Sequence, residues 1–267
     1  MTSTTSHLPS ADPYLHLRLP DLTTEENIVL AEFKSQLQYN ALYKKHNKWA
    51  DDRQLQRFLM ARKFDVVKSM DLIIGAMEWR DMRKVEDLCE TPSGFEFLSR
   101  EGATGKIYIP GEDRWGRPVL VFDSAVQNTP NEDDHMLFLA WNLEFATMLM
   151  PEDSSVEKYT VFMNLEKFSL FNMPSLAATQ ETIVMLTQTF PERLGHCIVF
   201  NPPFVFKAFY DSVSFLIDPH TVKKVVFLYG DMDDGGVNDN IMREIIGDNW
   251  KTLTGGKHEP NMYRFDQ

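Results

Sequence analysis

Only two cysteines, Cys89 and Cys197, occur among the 267 residues. They stand far apart, neither sits in a metal-binding spacing, and no Asn-x-Ser/Thr acceptor is present. Free thiols in a reducing compartment are the expectation. Positive charge is also short. Against 39 Asp and Glu there are 27 Lys and Arg, a formal net charge of −12. Such a field repels a phosphate backbone, which argues against a general nucleic-acid binder. No run of 18 apolar residues exists, so no transmembrane helix is expected. The first twenty residues lack the charged-then-apolar order of a signal peptide. The expectation is a cytoplasmic protein.

Catalytic signatures are missing too. There is no Gly-x-Ser-x-Gly elbow, and no Gly-x-Gly-x-x-Gly after a strand-like run. "GATGKI" has Gly-Lys without the spacing or the hydroxyl of a phosphate-binding loop. "DMDDGGVNDNIMRE" is acidic, but Gly235 and Met242 stand where calcium ligands belong, so it reads as a solvated loop. The seven histidines have no ligand spacing. Neither an enzyme nor a metal or cofactor site is expected.

Apolar residues make up 43% of the chain and aromatics 12%, enough for a sizeable core. Residues 1–23 are rich in Ser, Thr and Pro and read as a flexible arm. Residues 24–98 read as a helical domain: "TTEENIVLAEFKSQLQYNALYKK" opens on a capping signature, and "DDRQLQRFLMARKF" and "VVKSMDLIIGAMEWRDMRKVEDL" follow. From residue 99 to 267 the pattern alternates. Two apolar runs, Lys106–Ile109 and Pro118–Asp123, flank the turn-rich "GEDRWGR" and read as a hairpin-like strand pair. Strand-like "YTVFMNL", "HCIVFN" and "KVVFLYG" then interleave with helical segments. Alternation with short links predicts an α/β fold with a mostly parallel sheet and crossover helices.

One helix is unusual. Over 204–217 the polar residues Lys207, Asp211 and Ser214 form one narrow stripe, and Ser212 alone lies off it. Phe204, Phe206, Phe209, Val213, Phe215 and Leu216 are spread round the rest. So apolar a helix belongs in a core or against a membrane, and it is too short to span one. It reads either as a core helix or as one that meets two apolar surfaces at different times.

"RFLMARKFDVVKSM…WR", "DRWGRPVLVFD", "FPERLGHCIVFNPPFVFKAFY", "LIDPHTVKKVVFL" and "LTGGKHEP", in that order, resemble the CRAL-TRIO lipid-binding family. The likeness runs from about Asp51 to the C-terminus and is greatest to its fungal phosphatidylinositol/phosphatidylcholine transfer branch. It implies a small helical domain, a sheet flooring an apolar lipid pocket, and the 204–217 helix as a mobile gate. Met163, Phe200 and Phe227 are the strand candidates for the pocket lining.

The resemblance also implies a site. Glu192 and Lys224 match the acid and lysine that hold the inositol in phosphatidylinositol-binding members. Thr221 and the pair Arg62 and Lys63 match positions tied to phosphate recognition. Inositol hydroxyls need acceptors and donors, which carboxylate and ammonium supply. On spacing alone, Glu192 and Lys224 read equally as a surface ion pair, and Arg62-Lys63 as a solvated helix end. Choline-lipid binders carry small hydroxyl residues where Tyr159 and Val161 stand here, so a phosphatidylcholine site is not matched. The function implied is non-catalytic transfer or presentation of a phospholipid, phosphatidylinositol first. A carrier of a sterol, tocopherol, retinoid or haem is the alternative. Expected partners are the lipid, a transiently touched membrane surface and a phosphoinositide kinase, with the chain a monomer. Lys44, Lys45, Lys48, Arg53, Arg57, Arg62 and Lys63 concentrate positive charge and read either as a membrane-facing patch or as a solvated helix face.

Overall fold

The computed structural model describes residues 18–128, 131–151, 153, 155–169 and 175–255. Most of the arm expected over 1–23 and most of "LTGGKHEP" lie outside them. Within the first stretch Leu19 is buried, and the Pro20 carbonyl accepts from Gln56 Nε2 at 2.7 Å.

Helix α1, Thr24–Leu37, opens on the expected capping box: Thr23 and Glu26 exchange side-chain and backbone hydrogen bonds. The helix read through to Lys45 is two helices. Asn40 adopts an extended backbone and its Oδ1 accepts from the N–H groups of Leu42 and Tyr43, starting α2, Ala41–His46. A second N-cap inside a continuous apolar pattern is enough to divide it. Then follow α3, Asp52–Ala61, and α4, Val66–Arg83, which ends at Lys84 in the left-handed conformation. Phe33, Leu37, Leu55, Phe58, Ile73 and Met77 form their shared core. Two shorter helices, α5 Asp87–Glu90 and α6 Pro92–Gly102, lead to the sheet.

The five strands lie in chain order. β1, Ile107–Tyr108, runs antiparallel to β2, Val119–Asp123, as the two runs around "GEDRWGR" predicted. β3 Tyr159–Asn164, β4 Leu194–Phe200 and β5 Val225–Leu228 continue in parallel from β2. The crossovers hold α7 Glu132–Met148, α8 Leu176–Thr189, and the pair α9 Phe204–Val213 and α10 Pro219–Val222. Two helices close the described chain, α11 Val237–Ile245 and α12 Trp250–Gly255.

Side chains alternate across a strand, so the sheet has two faces. Leu120, Tyr159 and Val161 pack with α7 and α8. Val121, Phe162, Ile198 and Val226 pack with Met242, Ile245 and Trp250 of the last two helices. Each such side chain contributes about 1.5–3 kcal/mol on burial. Phe200 belongs to this second face, stacked on Phe162 at 6.3 Å. Phe200 therefore does not line the same face as Met163. In the acidic loop, Asp239 is fully buried and bonds Gly235 N–H, Trp250 Nε1 and Arg243 Nε at 2.9 Å each. Its carboxylate is engaged in tying the loop to α12.

Candidate functional site

Two cross-strand rows floor the first face. Leu120, Val161, Cys197 and Val225 are successive partners in register. Phe122, Met163, Val199 and Phe227 are the next row. Phe122, Met163, Cys197, Val225 and Phe227 are only half-buried, whereas Phe162, Ile198 and Val226 behind them are buried. Cys197 lies mid-strand with protein on all sides, and burial pushes its thiol up to about 12, yet it keeps accessible surface. Protein interiors are close-packed. Half-covered apolar side chains in mid-sheet are what the floor of an apolar ligand site requires.

α9 meets this floor. Tyr210 packs edge-on to Phe227 at 5.1 Å, and Phe206 packs on Phe168 at 6.1 Å. Lys207 Nζ lies 5.1 Å over the Phe227 ring and pairs with Asp211 Oδ2 at 2.7 Å. Among the described residues the buried Tyr210 hydroxyl has no hydrogen-bond partner. The helix is shorter than 204–217. It loosens into a 3-10 turn at Ser214–Leu216, where Ser214 and Ser212 bond back to their own backbone. Its apolar surface divides. Val213 is buried, Phe206 and Phe209 are half-buried, and Phe204 and Phe215 are 87% and 78% exposed.

The polar end of the floor is built by the topology. The parallel strands begin side by side, and a charged residue stands just before each. Arg117 precedes β2, Lys158 precedes β3, Glu192 and Arg193 precede β4, and Lys224 directly precedes β5. Glu192 sits in a turn with φ +58°, an uncommon conformation for a long side chain. Such strain is held where surrounding structure demands it. Among the described residues the Glu192 carboxylate accepts no hydrogen bond and pairs with no cation within 4.0 Å. Lys224 Nζ donates to the Leu194 carbonyl at 2.9 Å. So Glu192 and Lys224 are not a surface ion pair. Both are half-buried, close enough for Glu192 to oppose the depression that burial imposes on the Lys224 ammonium. Thr221 is half-buried in α10, its carbonyl accepting from Lys224 N–H at 3.0 Å.

Arg62 and Lys63 end α3, with Lys63 and Phe64 both at positive φ. Arg62 turns back to the Ala61 carbonyl at 3.0 Å. No hydrogen bond or ion pair among the described residues joins them to Glu192, Thr221 or Lys224. The basic concentration along 44–63 is partly neutralised. Lys45 pairs with Asp81 at 2.7 Å, and Arg53 and the buried Arg57 pair with Glu157. Neither arginine is a free surface charge.

Sequence reasoning missed Lys158, Arg117 and Glu157. Glu157, almost fully buried, gathers Arg53, Arg57 and Arg193, the last also donating to its carbonyl at 3.1 Å. Arg117 is fully buried, with Nε on Asp113 Oδ2 at 2.6 Å and Nη1 by His196 Nδ1 at 2.9 Å. The β3–β4 register skips a residue here: Tyr159 pairs with Leu194 and Thr160 with His196. Gly195 lies in the gap, and a Cβ on it would stand 2.6 Å from Arg117 Nη1. The one signal in the sequence was "EK" immediately ahead of "YTVFMNL".

A family model described as CRAL/TRIO domain matches residues 102–250, more than half of the chain. This chain belongs to the CRAL-TRIO family. The family is one of lipid-binding and transfer proteins. A CRAL-TRIO domain-containing protein of Schizosaccharomyces pombe is 31% identical over 179 residues, 67% of this chain and 17% of that protein. A second protein of that yeast is 29% identical, over 75% of this chain and 46% of the other. The chain thus spans less than half the length of these two relatives. The SEC14 cytosolic factor of Eremothecium gossypii is 25% identical over 90% of this chain and 79% of its own. PDR17 of Saccharomyces cerevisiae, named a phosphatidylinositol transfer protein, is 25% identical over 67% and 53%. The crystal structure of Sfh5 matches with a TM-score of 0.60 at 17% identity, over 79% of this chain and 82% of that one. It has the same fold. Among the described residues no helix is long and apolar enough to cross a membrane.

Proposed function

We propose that this protein binds phosphatidylinositol, exchanging it with a membrane surface or presenting it to a phosphoinositide kinase, as a cytoplasmic monomer without catalysis of its own. The supporting observation is the pair Glu192 and Lys224. They stand at the starts of adjacent strands, unpaired with each other, at the end of a half-covered apolar floor. A carboxylate with free acceptors and an ammonium with spare donors suit a ring of hydroxyls. The floor and α9 suit the acyl chains. A diacyl lipid carries roughly 30 methylenes at about 0.8 kcal/mol each, so exposing its tails to water costs on the order of 20 kcal/mol. A gate with one apolar face inward and another outward gives those tails a continuous apolar path. At the positions that would favour a choline lipid, Tyr159 and Val161 are buried and offer no small hydroxyl. They leave room for a different second ligand.

The test is mass spectrometry of lipid extracted from the purified protein and from a Glu192→Ala, Lys224→Ala variant. Phosphatidylinositol is expected in the first and not in the second. A different hydrophobic molecule retained by both would keep the family and move the ligand to the alternative class.

A further inference from the structure

Lys158 is only 9% exposed, and among the described residues its ammonium makes no hydrogen bond and no ion pair. Buried lysines are rare unless paired, because desolvation opposes the charge. Its charged surroundings are Lys224, Glu192, Arg117 and Arg57. Three of these four are cations. Arg57 is bound to Glu157, and Arg117 to Asp113. That leaves one carboxylate, Glu192, between two ammonium groups, with Asp218 acting on Lys224 from the exposed start of α10. Arg117 also keeps a buried Nη2 with no partner among the described residues. In a chain of net charge −12, the starts of the parallel strands hold a buried excess of positive charge and unused donors. Three arginines on the single carboxylate of Glu157 deepen it.

We infer that Lys158, with Lys224 and the free edge of Arg117, forms a subsite for a phosphomonoester, so that the preferred ligand is an inositol lipid bearing an extra ring phosphate. This rests on the inositol-lipid reading above and sharpens it. Ring hydroxyls give an unpaired buried ammonium no counter-charge, and the phosphodiester of phosphatidylinositol carries one charge on only two free oxygens. A phosphomonoester carries about −1.5 to −2 charges and three acceptor oxygens. Glu192 remains the acceptor for ring hydroxyls, and the phosphate takes up the surplus ammonium. The same chemistry could come from a soluble sugar phosphate, and the experiment separates the two.

Delipidated full-length protein is incubated with phosphatidylcholine vesicles containing phosphatidylinositol or its monophosphate, and the lipid taken up is counted. In a parallel arm, the water-soluble inositol bisphosphate head group is titrated by calorimetry. Wild type is expected to favour the monophosphate by about tenfold or more, the worth of one charge-assisted hydrogen bond. Lys158→Met should bring that ratio close to one, and Lys158→Arg should restore it. Binding of the soluble head group without uptake of either lipid would keep the phosphomonoester subsite and assign it a soluble ligand. Equal uptake of both lipids, unchanged in Lys158→Met, would overturn the subsite and leave the phosphatidylinositol reading standing. No uptake of either lipid and no calorimetric signal would overturn both.

Discussion

Lys158 brings the energetics of burial and the chemistry of the site into one side chain. Burial, with Lys224 nearby, pulls its ammonium down to about 8, only partly opposed by Glu192. The sign follows directly. Below pH 8 the folded protein carries a buried charge that the unfolded chain solvates freely. Between about 8 and the ordinary lysine value the unfolded chain holds a proton that the folded one has lost, so this group adds stability as pH rises. Lys158→Met should stabilise the lipid-free protein at pH 7, by a few kcal/mol at most, and so raise its melting temperature. That advantage should shrink steadily towards pH 10. Thermal scans of both proteins across that range check it; a Lys158→Met protein less stable at every pH would make the lysine structural. Gly195 is the companion case. Its missing side chain leaves room for the Arg117 guanidinium, which bonds Asp113 and lies against His196. Gly195→Ala should cost about 1–3 kcal/mol as overpacking against a buried guanidinium, read from the urea midpoint.

Helix α9 shows how far an element can be read from its residues. Apolar residues nearly all round 204–217 left two readings, a core helix or one that meets two apolar surfaces. In the structure Phe206, Tyr210 and Val213 are turned to protein and Phe204 and Phe215 to solvent. The 3-10 end at Ser214–Leu216 was not legible, because hydroxyls that bond back to the backbone are indistinguishable in sequence from a continuing polar stripe. Phe200 was misplaced for a related reason. A run of six apolar residues gives the strand but not which alternate set faces which side. Arg53 and Arg57 looked like surface charge because their partner, Glu157, lies a hundred residues on. Only parallel pairing sets the strand starts side by side, so it is the topology rather than any motif that brings Arg117 and Lys158 to Glu192 and Lys224. The exposed side of α9 makes its own prediction. Phe204→Ser with Phe215→Ser removes two side chains worth up to about 1.5–3 kcal/mol each on burial in a membrane. Co-sedimentation with vesicles should fall at least tenfold while the melting temperature stays put. Undiminished sedimentation would take membrane contact away from this face of α9.

At the scale of the molecule, the helical segment and the sheet meet over a buried ionic knot. Glu157, just before β3, holds Arg53 and Arg57 from α3 and Arg193 from the turn before β4. α4 adds a second tie: Arg83 reaches Asp133 at 3.0 Å and Glu181 at 2.6 Å, on α7 and α8. The two ties are unequal. Asp133 and Glu181 are exposed, and surface pairs contribute about 0–1 kcal/mol. Glu157, Arg57 and Arg193 are buried, so losing the one carboxylate would strand two guanidinium groups away from water. Breaking a buried pair on one side costs about 3–5 kcal/mol. Glu157→Gln should therefore lower the urea midpoint strongly, whereas Glu181→Gln should hardly move it. Because Lys158 and Lys224 share this end of the sheet, the same substitution adds a further uncompensated positive charge beside them. Retention of an anionic lipid by the folded Glu157→Gln fraction should rise even as that fraction falls. Stability and lipid retention moving in opposite directions would mark this knot as a joint that also limits how positive the strand starts become. If both fell together, Glu157 would hold the site in shape and do nothing to its charge.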